Sequence, residues 1–558
     1  MIKHYAQASK NTPVFIAGLI LIGFLYVVNF SINDIWTENE SFYAEAVREM
    51  TVSKNYSDIS YNYSPRFNKP PLTYWLIAAS TRLFGLNEFA IRLPVVILAF
   101  WTVLLVWAMA RMLYGEKTAL LAFVMQAIGI QFIAGKQYAS PEIPLAFFFT
   151  LTLYFFLKGQ LSGRKIFYIL TAISLGLTVL TKGYPYIIVI GGIIFLYLLI
   201  EAHFNLSVFW AKVKELNPFV FAIIVTAIGL SWVWWMYLRY GNQFLEVLNR
   251  ETLYRAISQD SSNGLRDLFF YPQVILWSFF PYSLVFVYAF FHYVFIRRNI
   301  TSIAFWFSWV IVMLVVFTAA KGKIPTYFIQ AHPALALISA RFIADYKPSA
   351  KASILWDSAF YLPSVISLIL GTAIVIFFAL PVYYYALLLL ALLIIVLVPR
   401  PSAELKDDSS VKSVLQHLQP FVTTYVVLMV FSLGVLPRLE EYRQVDRIGY
   451  VINKEFRIPA SIPIYKEGGL IHNLPYYAGR KVLLMTKADE TLLTKSPLLV
   501  LIPSADVPEN FRAYVIWSGY IYTKRSSESR LLIFIDSYLK AKRGDFSGFT
   551  SYSLIYKK

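Results

Sequence analysis

Long apolar stretches alternate with short polar loops over most of this chain, and only the last part breaks the pattern. An apolar stretch of about 20 residues is long enough to cross the hydrocarbon core of a bilayer as a helix. By that criterion we predict about thirteen spans, many of them ending in the tryptophan and tyrosine residues typical of membrane interfaces. They lie near residues 13–33, 89–113, 117–135, 141–158, 165–181, 184–201, 217–239, 268–295, 303–319, 324–345, 356–380, 382–398 and 418–437. The pattern therefore predicts a polytopic α-helical membrane protein.

Lysine and arginine are concentrated in alternate loops, which indicates how the spans are oriented. The basic set includes Lys3 and Lys10 before the first span, and Arg297 and Arg298 in a later loop. Basic loops face the cytoplasm, so we predict a cytoplasmic amino terminus and, with an odd number of spans, an outer C-terminal region. No small-residue cleavage site ends the first apolar segment, so we interpret it as a retained anchor in the cytoplasmic (inner) membrane.

The first outer loop, residues 34–88, is long and contains two predicted helices. Helical spacing from Asn39 to about Asn55 predicts an amphipathic helix that lies in the membrane interface. Its apolar face would carry Tyr43, Ala46, Val47 and Met50, and its polar face Glu45, Arg48 and Glu49. A second helix is predicted to begin at Pro70 and Pro71, because proline suits the first turn of a helix.

The chain changes character after Arg438, where short apolar runs alternate with turn residues. Runs of this length, bounded by turn residues, predict strands. The predicted strands are SIPIY, KVLLM, PLLVLIPS, YVIWSGYIY and RLLIFI, which begin at Ser461, Lys481, Pro497, Tyr514 and Arg530. We therefore predict a transmembrane domain of residues 1–438 and a soluble α/β domain of residues 439–558.

Composition narrows the chemistry that the chain can perform. Of its 558 residues, 58% are hydrophobic and 15% are charged, and cysteine is absent, which excludes disulfides and thiolate metal sites. The net charge of +18 is explained by the basic loops, and we expect no nucleic-acid partner. The histidines include no pair with metal-ligand spacing, so we expect neither a metal nor another cofactor.

Several basic residues stand out because they lie at the outer ends of spans, where lysine and arginine are normally scarce. They are Arg66, Lys69, Lys136, Lys182, Arg255, Lys321 and Lys323. For any one of them, a long side chain reaching to the interface is the simpler explanation. As a group, and with Lys182, Lys321 and Lys323 directly joining two spans, they suit the phosphate at the head of a lipid.

Carboxylates are the second group of candidates, because transfer of a group to a hydroxyl needs a base that takes the hydroxyl proton. Glu38 and Glu40 bracket Asn39 at the start of the first interfacial helix, and Glu142 follows Pro141 where an outer loop re-enters the membrane. Helix capping and a favourable interaction with the helix dipole are the alternative explanation for these residues. The residues alone leave both explanations open.

Five sequence blocks, taken in order, resemble the GT-C glycosyltransferases of the aminoarabinose-transferase and protein O-mannosyltransferase-like group. The blocks are NESFYAEAVREM, RFNKPPLTYW, YASPEIPLAFF, LTKG and AAKGKIPTY, and the resemblance extends from about Trp36 to Ile343. It implies a GT-C fold and a polyprenyl-phosphate sugar donor, of the undecaprenyl-phosphate type, used on the outer face of the membrane. It also implies an inverting transfer with a carboxylate base.

By position, the resemblance assigns roles to individual residues. Glu40 matches the second acid of the family's first-loop pair and becomes the candidate base, with Glu142 and Glu38 as the other catalytic candidates. Asn39 stands where the family has the catalytic aspartate, and Asn68 replaces a family glutamate. The residues implied to bind the donor phosphate are Lys69, Arg66, Lys182, Arg255, Lys321 and Lys323. Those expected to position the substrates are Asn39, Tyr43, Asn68 and Tyr327.

The favoured hypothesis is a monomeric membrane glycosyltransferase whose acceptor is lipid A, another glycolipid or glycan, or a protein hydroxyl. Asn68, together with Thr252 where some relatives have histidine, argues against a metal held at those two positions. A lipid or sugar transporter is an alternative that would show inverted repeats and broken helices near the bilayer midplane. A catalytically inactive relative that binds lipid-linked sugar is the other alternative, which Asn39 keeps open.

Overall fold

The computed structural model describes residues 12–35, 37–254, 265–296, 303–402, 414–442, 444–486, 495–522 and 530–558. The chain forms two compact units, each assembled from separate parts of the sequence. The helical unit comprises Met1–Val28, Phe67–Thr73 and Pro94–Phe431. The mixed unit comprises Asn29–Arg66, Tyr74–Leu93 and Ser432–Lys558. Most of the loop after the first predicted span therefore belongs to the same unit as the C-terminal part of the chain. A single boundary at residue 438 would separate these two segments.

Helices form most of the described chain. In chain order they are α1 (Thr12–Val27), α2 (Glu38–Ser53), α3 (Leu72–Phe84), α4 (Glu88–Tyr114), α5 (Glu116–Ile128), α6 (Ile130–Gly135), α7 (Glu142–Ser162), α8 (Lys165–Lys182), α9 (Pro185–Glu201), α10 (Leu206–Glu215), α11 (Pro218–Gly229), α12 (Ser231–Tyr240), α13 (Asn242–Asn249), α14 (Leu265–Ser278), α15 (Ser283–Phe291), α16 (Ala304–Ala319), α17 (His332–Asp345), α18 (Ser353–Phe377), α19 (Tyr383–Leu397), α20 (Gln419–Val430), α21 (Val445–Tyr450), α22 (Leu474–Ala478) and α23 (Arg530–Ala541). The strands are β1 (Ser60–Tyr61), β2 (Ser64–Pro65), β3 (Ile464–Glu467), β4 (Val482–Met485), β5 (Leu498–Pro503), β6 (Val515–Ile521) and β7 (Thr550–Lys557).

Within the described residues, five helices are each long and apolar enough to cross a bilayer. They are α4, α7, α8, α18 and the helix Gln419–Glu440, which contains α20. Helices α11 and α12 pass the same test together but are bent by 50° relative to each other. Shorter apolar helices include α1, α9, α16 and α19. The polytopic α-helical architecture predicted from the hydrophobic pattern is confirmed.

The bend between α11 and α12 divides the span predicted at 217–239, and three further predicted spans are interrupted in the structure. The span predicted at 117–135 is divided at Gly129, whose backbone is extended with ψ at 123°. The span at 268–295 is divided around Pro281, and the span at 324–345 begins as a short 3-10 helix before α17. Glycine and proline do not support a regular helix at these positions, although the apolar run itself continues through each break.

Two of the three further breaks meet inside the helical unit, and the third adjoins them. The amide of Ile130 donates to the carbonyl of Phe280 at 3.2 Å, so a backbone group released by one break is satisfied at another. The ring of His332, at the start of α17, lies 3.2 Å from the hydroxyl of Ser278. These two contacts join the breaks to one another inside the helical unit.

Glycines allow α7, α8 and α11 to pack closely. A Cβ atom at Gly159 would lie 2.6 Å from the ring of Tyr168, and one at Gly176 would lie 2.7 Å from Ile228. Small residues at such contacts let helix backbones approach each other. Because α7 and α8 form an antiparallel pair, the first residue of α7 and the last residue of α8 lie at the same end.

The mixed unit is built around a five-stranded sheet with the strand order β4-β3-β5-β7-β6. β3 pairs in parallel with β4 and β5, whereas β7 pairs antiparallel with β5 and β6. In β5 the residues from Leu498 to Ile502 are all buried, as expected for a central strand covered on both faces. The predicted C-terminal α/β fold is therefore confirmed.

One predicted strand is wrong. The run RLLIFI from Arg530 begins helix α23, in which Phe534, Tyr538 and Ala541 are buried. The spacing of these buried residues follows one face of a helix and extends beyond the apolar run on which the prediction depended. The sequence analysis also missed β7, which pairs with β5 and completes the sheet.

Candidate active site

Helix α2 in the mixed unit begins at Glu38, and Thr37 is its N-cap. The Thr37 side chain accepts a hydrogen bond from the Glu40 amide at 3.1 Å. Asn39 lies within the first turn and is half-buried. The alternative explanation of Asn39 as the helix cap is therefore wrong, because the threonine two residues earlier supplies the cap.

The Glu40 carboxylate is held by Arg92. The guanidinium donates to both carboxylate oxygens, at 2.7 and 2.9 Å, and the two side chains are 1% and 0% exposed. Arg92 also donates to the backbone carbonyls of Asn33 and Asp34. A base must have an oxygen that can accept a proton from a substrate, and this pair is enclosed. The geometry favours a structural role for Glu40 over the predicted catalytic one.

The predicted solvent-facing side of α2 is buried. Arg48 donates to Glu45 at 2.6 and 2.7 Å, and Glu49 accepts hydrogen bonds from Ser60 and from the amide of Tyr63. Burial raises the pKa of Glu45 to about 8, against the opposing effect of Arg48. The prediction of an exposed polar face is wrong, because these charges pair with each other and with the β1–β2 segment.

Other predicted site residues also belong to the mixed unit. The Glu38 carboxylate lies 3.5 Å from Nε2 of His472, and the ring of Tyr43 stacks on Tyr74 at 4.3 Å. The guanidinium of Arg66 lies 3.7 Å above the ring of Phe42. The structure therefore surrounds these side chains with aromatic rings, and a phosphate-binding role for Arg66 stays a prediction.

The helical unit contains the pair Glu142 and Lys182. Pro141 precedes α7, so Glu142 is its first residue, and Lys182 is the last residue of α8. Nζ of Lys182 donates to Oε1 of Glu142 at 3.1 Å and lies 5.1 Å from the ring centre of Tyr327. Oε2 of Glu142 is buried and has no hydrogen-bond partner in the described part of the chain. One oxygen of this buried carboxylate is thus not engaged by Lys182.

A second lysine–carboxylate pair joins Lys69 to Glu251. Nζ of Lys69 lies 3.2 Å from Oε2, and the Asn68 amide donates to Oε1 at 3.0 Å. Glu251 belongs to the π-helical turn Arg250–Tyr254, a type of distortion often found at functional sites. The sequence analysis considered Asn68 and Lys69 but missed the glutamate that binds both.

Aromatic packing holds the two sides of this pair in place. The ring of Phe67 packs on Phe244 of α13 at 5.7 Å, and Phe244 in turn packs on Trp232 of α12 at 5.4 Å. The hydroxyl groups of Thr252 and Tyr184 are 2.8 Å apart, which links the π-helical turn to the start of α9. Lys69 and Glu251 are therefore presented by a packed framework.

Both lysines line one cavity of about 390 Å³ within the helical unit. Glu251, Thr252, Tyr186 and Tyr327 also contribute polar groups to its lining. Its apolar wall comes from α9 and α16 and includes Pro185, Tyr186, Ile188, Val189, Val316 and Phe317. Cations at one part of a largely apolar cavity suit an amphiphile with an anionic head.

Lys321 and Lys323 do not line this cavity themselves, although their neighbours Ala320 and Gly322 do. Nζ of Lys323 donates to the carbonyls of Thr318 and Ala320, at 2.9 and 2.8 Å, and lies 3.7 Å from Asp267. Lys323 therefore closes the C-terminal end of α16, and phosphate binding by this residue stays a prediction. Lys321 is exposed on the same loop. Arg255 lies outside the described residues.

Comparisons with known proteins identify a matching family model and several sequence relatives. The model of the family described as dolichyl-phosphate-mannose-protein mannosyltransferase matches residues 68–235. An uncharacterized protein of Aquifex aeolicus is 31% identical over 95% of this chain and 97% of its own length. An undecaprenyl phosphate-alpha-4-amino-4-deoxy-L-arabinose arabinosyl transferase of Pseudomonas paraeruginosa is 24% identical, and the match covers 57% of this chain and 58% of that enzyme.

The fold also matches a solved structure over almost the whole chain. The crystal structure of ArnT from Cupriavidus metallidurans bound to undecaprenyl phosphate superposes with a TM-score of 0.71 and 16% identity, covering 98% of both chains. At this identity the match concerns the fold alone. It confirms that the helices and the C-terminal sheet have the architecture implied by the resemblance.

Proposed function

Because the chain belongs to the GT-C family of membrane glycosyltransferases, we propose that it transfers a sugar from a polyprenyl-phosphate donor to a hydroxyl on the outer face of the membrane. The observation that carries this proposal is the cavity shared by Lys69 and Lys182. Its polar end suits a phosphate, and its apolar wall suits the first units of a prenyl chain. The names of the relatives support a donor of this class.

In this proposal the donor phosphate binds between Lys69 and Lys182. Transfer breaks the bond between the anomeric carbon and the phosphate oxygen, and the phosphate leaves with the electron pair. The lysines stabilise that charge as it develops. Tyr327, whose ring lies 5.1 Å from Nζ of Lys182, helps to hold this ammonium group in place.

We assign the base to Glu142. Its Oε2 would take the acceptor proton while the acceptor oxygen forms its bond to the anomeric carbon from the face opposite the phosphate. Glu142 is preferred to Glu40 because Arg92 engages both oxygens of Glu40, whereas Lys182 engages only one oxygen of Glu142. A phosphate bound at Lys182 also competes with Glu142 for the lysine ammonium group. Weaker pairing with that group makes the Glu142 carboxylate a stronger base.

The acceptor hydroxyl belongs to a glycolipid, a glycan or a protein. The name of the matching family specifies a protein acceptor, whereas the name of the arabinosyl transferase specifies only the donor, so a protein hydroxyl is the acceptor to test first and a glycolipid the second. We propose that the chain acts from the cytoplasmic (inner) membrane.

The test is transfer by the full chain reconstituted in nanodiscs, with short-chain prenyl-phosphate sugars as donors. We expect Glu142→Gln to lower turnover by about 10²–10⁴-fold, the usual contribution of a general base, with donor binding retained. Glu116→Gln is the matched control, because Glu116 also begins a helix and pairs with Arg111, but it does not line the cavity.

Two results would contradict the proposal at different levels. Wild-type turnover in a folded Glu142→Gln variant would reject Glu142 as the base. No transfer by the wild-type chain from any prenyl-phosphate sugar, with such a donor bound, would favour the inactive relative.

A further inference from the structure

Both lysines of the cavity already hold a carboxylate. Lys182 pairs with Glu142 at 3.1 Å and Lys69 with Glu251 at 3.2 Å. Within the described residues each lysine is matched by one carboxylate, so these two pairs by themselves contribute no net positive charge. Sites that only need to hold a phosphate tightly use cations in excess. The second carboxylate therefore needs its own explanation.

Glu251 is placed to act on whatever binds at Lys69. Glu251 is among the residues that line the cavity, whereas Glu142 pairs with the lining residue Lys182. Asn68 and Lys69 each engage one of its oxygens, so the carboxylate is held in one position beside the ammonium group. A phosphate that contacts Lys69 thus also meets a fixed negative charge.

We propose that Glu251 is a positioning residue that sets the charge selectivity of the site. Its negative charge prevents the site from binding a phosphate monoester more tightly than a phosphodiester. The inference rests on the proposed function. There the donor is a phosphodiester of a polyprenol and a sugar, and the product that must leave is the polyprenyl phosphate monoester.

The physical basis is the charge of the two ligands. A phosphodiester carries one negative charge, whereas a monoester has a second ionisation near pH 6 and approaches two charges at neutral pH. Attraction to the lysines and repulsion by the carboxylates both scale with ligand charge. Where each lysine is matched by a carboxylate, attraction by the lysines and repulsion by the carboxylates offset each other for either ligand. Without Glu251 the site has a net positive charge and favours the dianion.

The charged and titratable groups around the cavity are few enough to name. Among the described residues of the elements that form it they are Lys69, Lys182, Arg250, Glu251, Tyr184, Tyr186, Tyr271 and Tyr327, with Glu142 paired to Lys182. On the adjoining loop Lys323 pairs with Asp267, and Lys321 is exposed. Between pH 5 and 8, we therefore expect the monoester itself to dominate any change in relative ligand binding.

The experiment measures binding of two synthetic ligands to the full chain in nanodiscs: a short-chain prenyl phosphate and its methyl diester. For wild type we expect similar affinities at pH 8. For Glu251→Gln we expect the diester to bind about tenfold more tightly and the monoester about a hundredfold, because the removed repulsion doubles with ligand charge. The monoester preference of Glu251→Gln should decline as the pH falls from 8 to 5.

Two variants separate charge from structure. Glu251→Asp keeps the charge and should restore nearly equal binding of the two ligands. Glu246→Gln removes an exposed carboxylate from α13, the helix directly before Glu251, and should change neither affinity. In turnover assays, Glu251→Gln should lower the inhibition constant for the monoester more than the KM for the donor.

The outcomes distinguish this inference from the proposed function. Wild-type protein that binds neither ligand would contradict the proposed donor site itself. If wild-type protein binds both ligands but Glu251→Gln changes their affinities equally or not at all, only the role of Glu251 is overturned. An unequal change that does not depend on pH would also overturn it.

Discussion

Glu40 with Arg92 in the mixed unit and Glu251 with Lys69 in the helical unit are both carboxylate–cation pairs, but they are built differently. Arg92 engages both oxygens of Glu40, and the two side chains are 1% and 0% exposed. The side chains of Lys69 and Glu251 are 21% and 9% exposed and line a cavity. The first pair is enclosed, whereas the second is accessible from a cavity.

If the proposed roles are right, the acid that matches the family motif, Glu40, is structural, and a different acid, Glu142, reacts. Breaking an enclosed ion pair leaves an uncompensated buried charge, so such a pair contributes mainly to the folded structure. A pair at a cavity costs less to open and can participate in binding. Glu142 and Lys182 are intermediate, since they are nearly buried but leave one carboxylate oxygen without a hydrogen bond in the described chain.

The largest effect on stability is expected for the enclosed pair. Replacing Arg92 with methionine leaves Glu40 buried without its partner, which should destabilise the mixed unit by about 3–5 kcal/mol. Hydrogen–deuterium exchange of β5 and α2 in the purified protein measures the loss. Arg82→Met changes an exposed arginine of α3 in the same unit and serves as the control. A loss below about 1 kcal/mol for Arg92→Met would contradict the assignment of the pair as structural.

A smaller stability effect, but a clear effect on binding, is expected at the cavity. Lys69→Met should weaken binding of the prenyl phosphodiester by about tenfold, as expected for loss of one charge-assisted hydrogen bond. The free energy of unfolding should change by about 1 kcal/mol or less, since water reaches this pair. Ligand titration and thermal unfolding of the same sample measure both quantities. Strong destabilisation with unchanged affinity would show that this pair, too, is structural.

The smallest effect is expected for a pair on the surface. Arg447 and Glu455 are 2.6 Å apart, but their side chains are 51% and 37% exposed. Arg447→Met should change stability by about 0–1 kcal/mol, because solvent screens exposed charges. Thermal unfolding at low and high salt checks this. A loss comparable to that of Arg92→Met would mean that exposure does not distinguish these pairs.

Local patterns were enough to predict the main architecture. Apolar stretches of spanning length predicted the helices, and PLLVLIPS predicted the central strand β5. The hydrophobic pattern failed to predict the helix ends at Gly129 and Pro281. At these positions the apolar stretch continues, but glycine or proline interrupts the helix. The pattern also failed at α23, where the helical spacing of buried residues extends beyond the apolar run.

The candidate site was predictable only in part. Motif position identified Lys69, Lys182 and Glu142, which the structure places in one unit. It could not reveal that Arg92 encloses Glu40, because those residues are far apart in the sequence and meet only in the folded chain. Glu251 was missed for the same reason: its partners Asn68 and Lys69 belong to a distant segment.

The central claim is that this chain transfers a sugar to an acceptor and that Glu142 takes the acceptor proton. The most direct measurement is mass spectrometry of glycolipids, glycans and glycoproteins from cells expressing wild-type protein or Glu142→Gln at equal levels. The account predicts that one class of molecule loses the mass of a single sugar in the Glu142→Gln cells. Identical mass profiles in all three fractions, with the variant folded in the membrane, would contradict it.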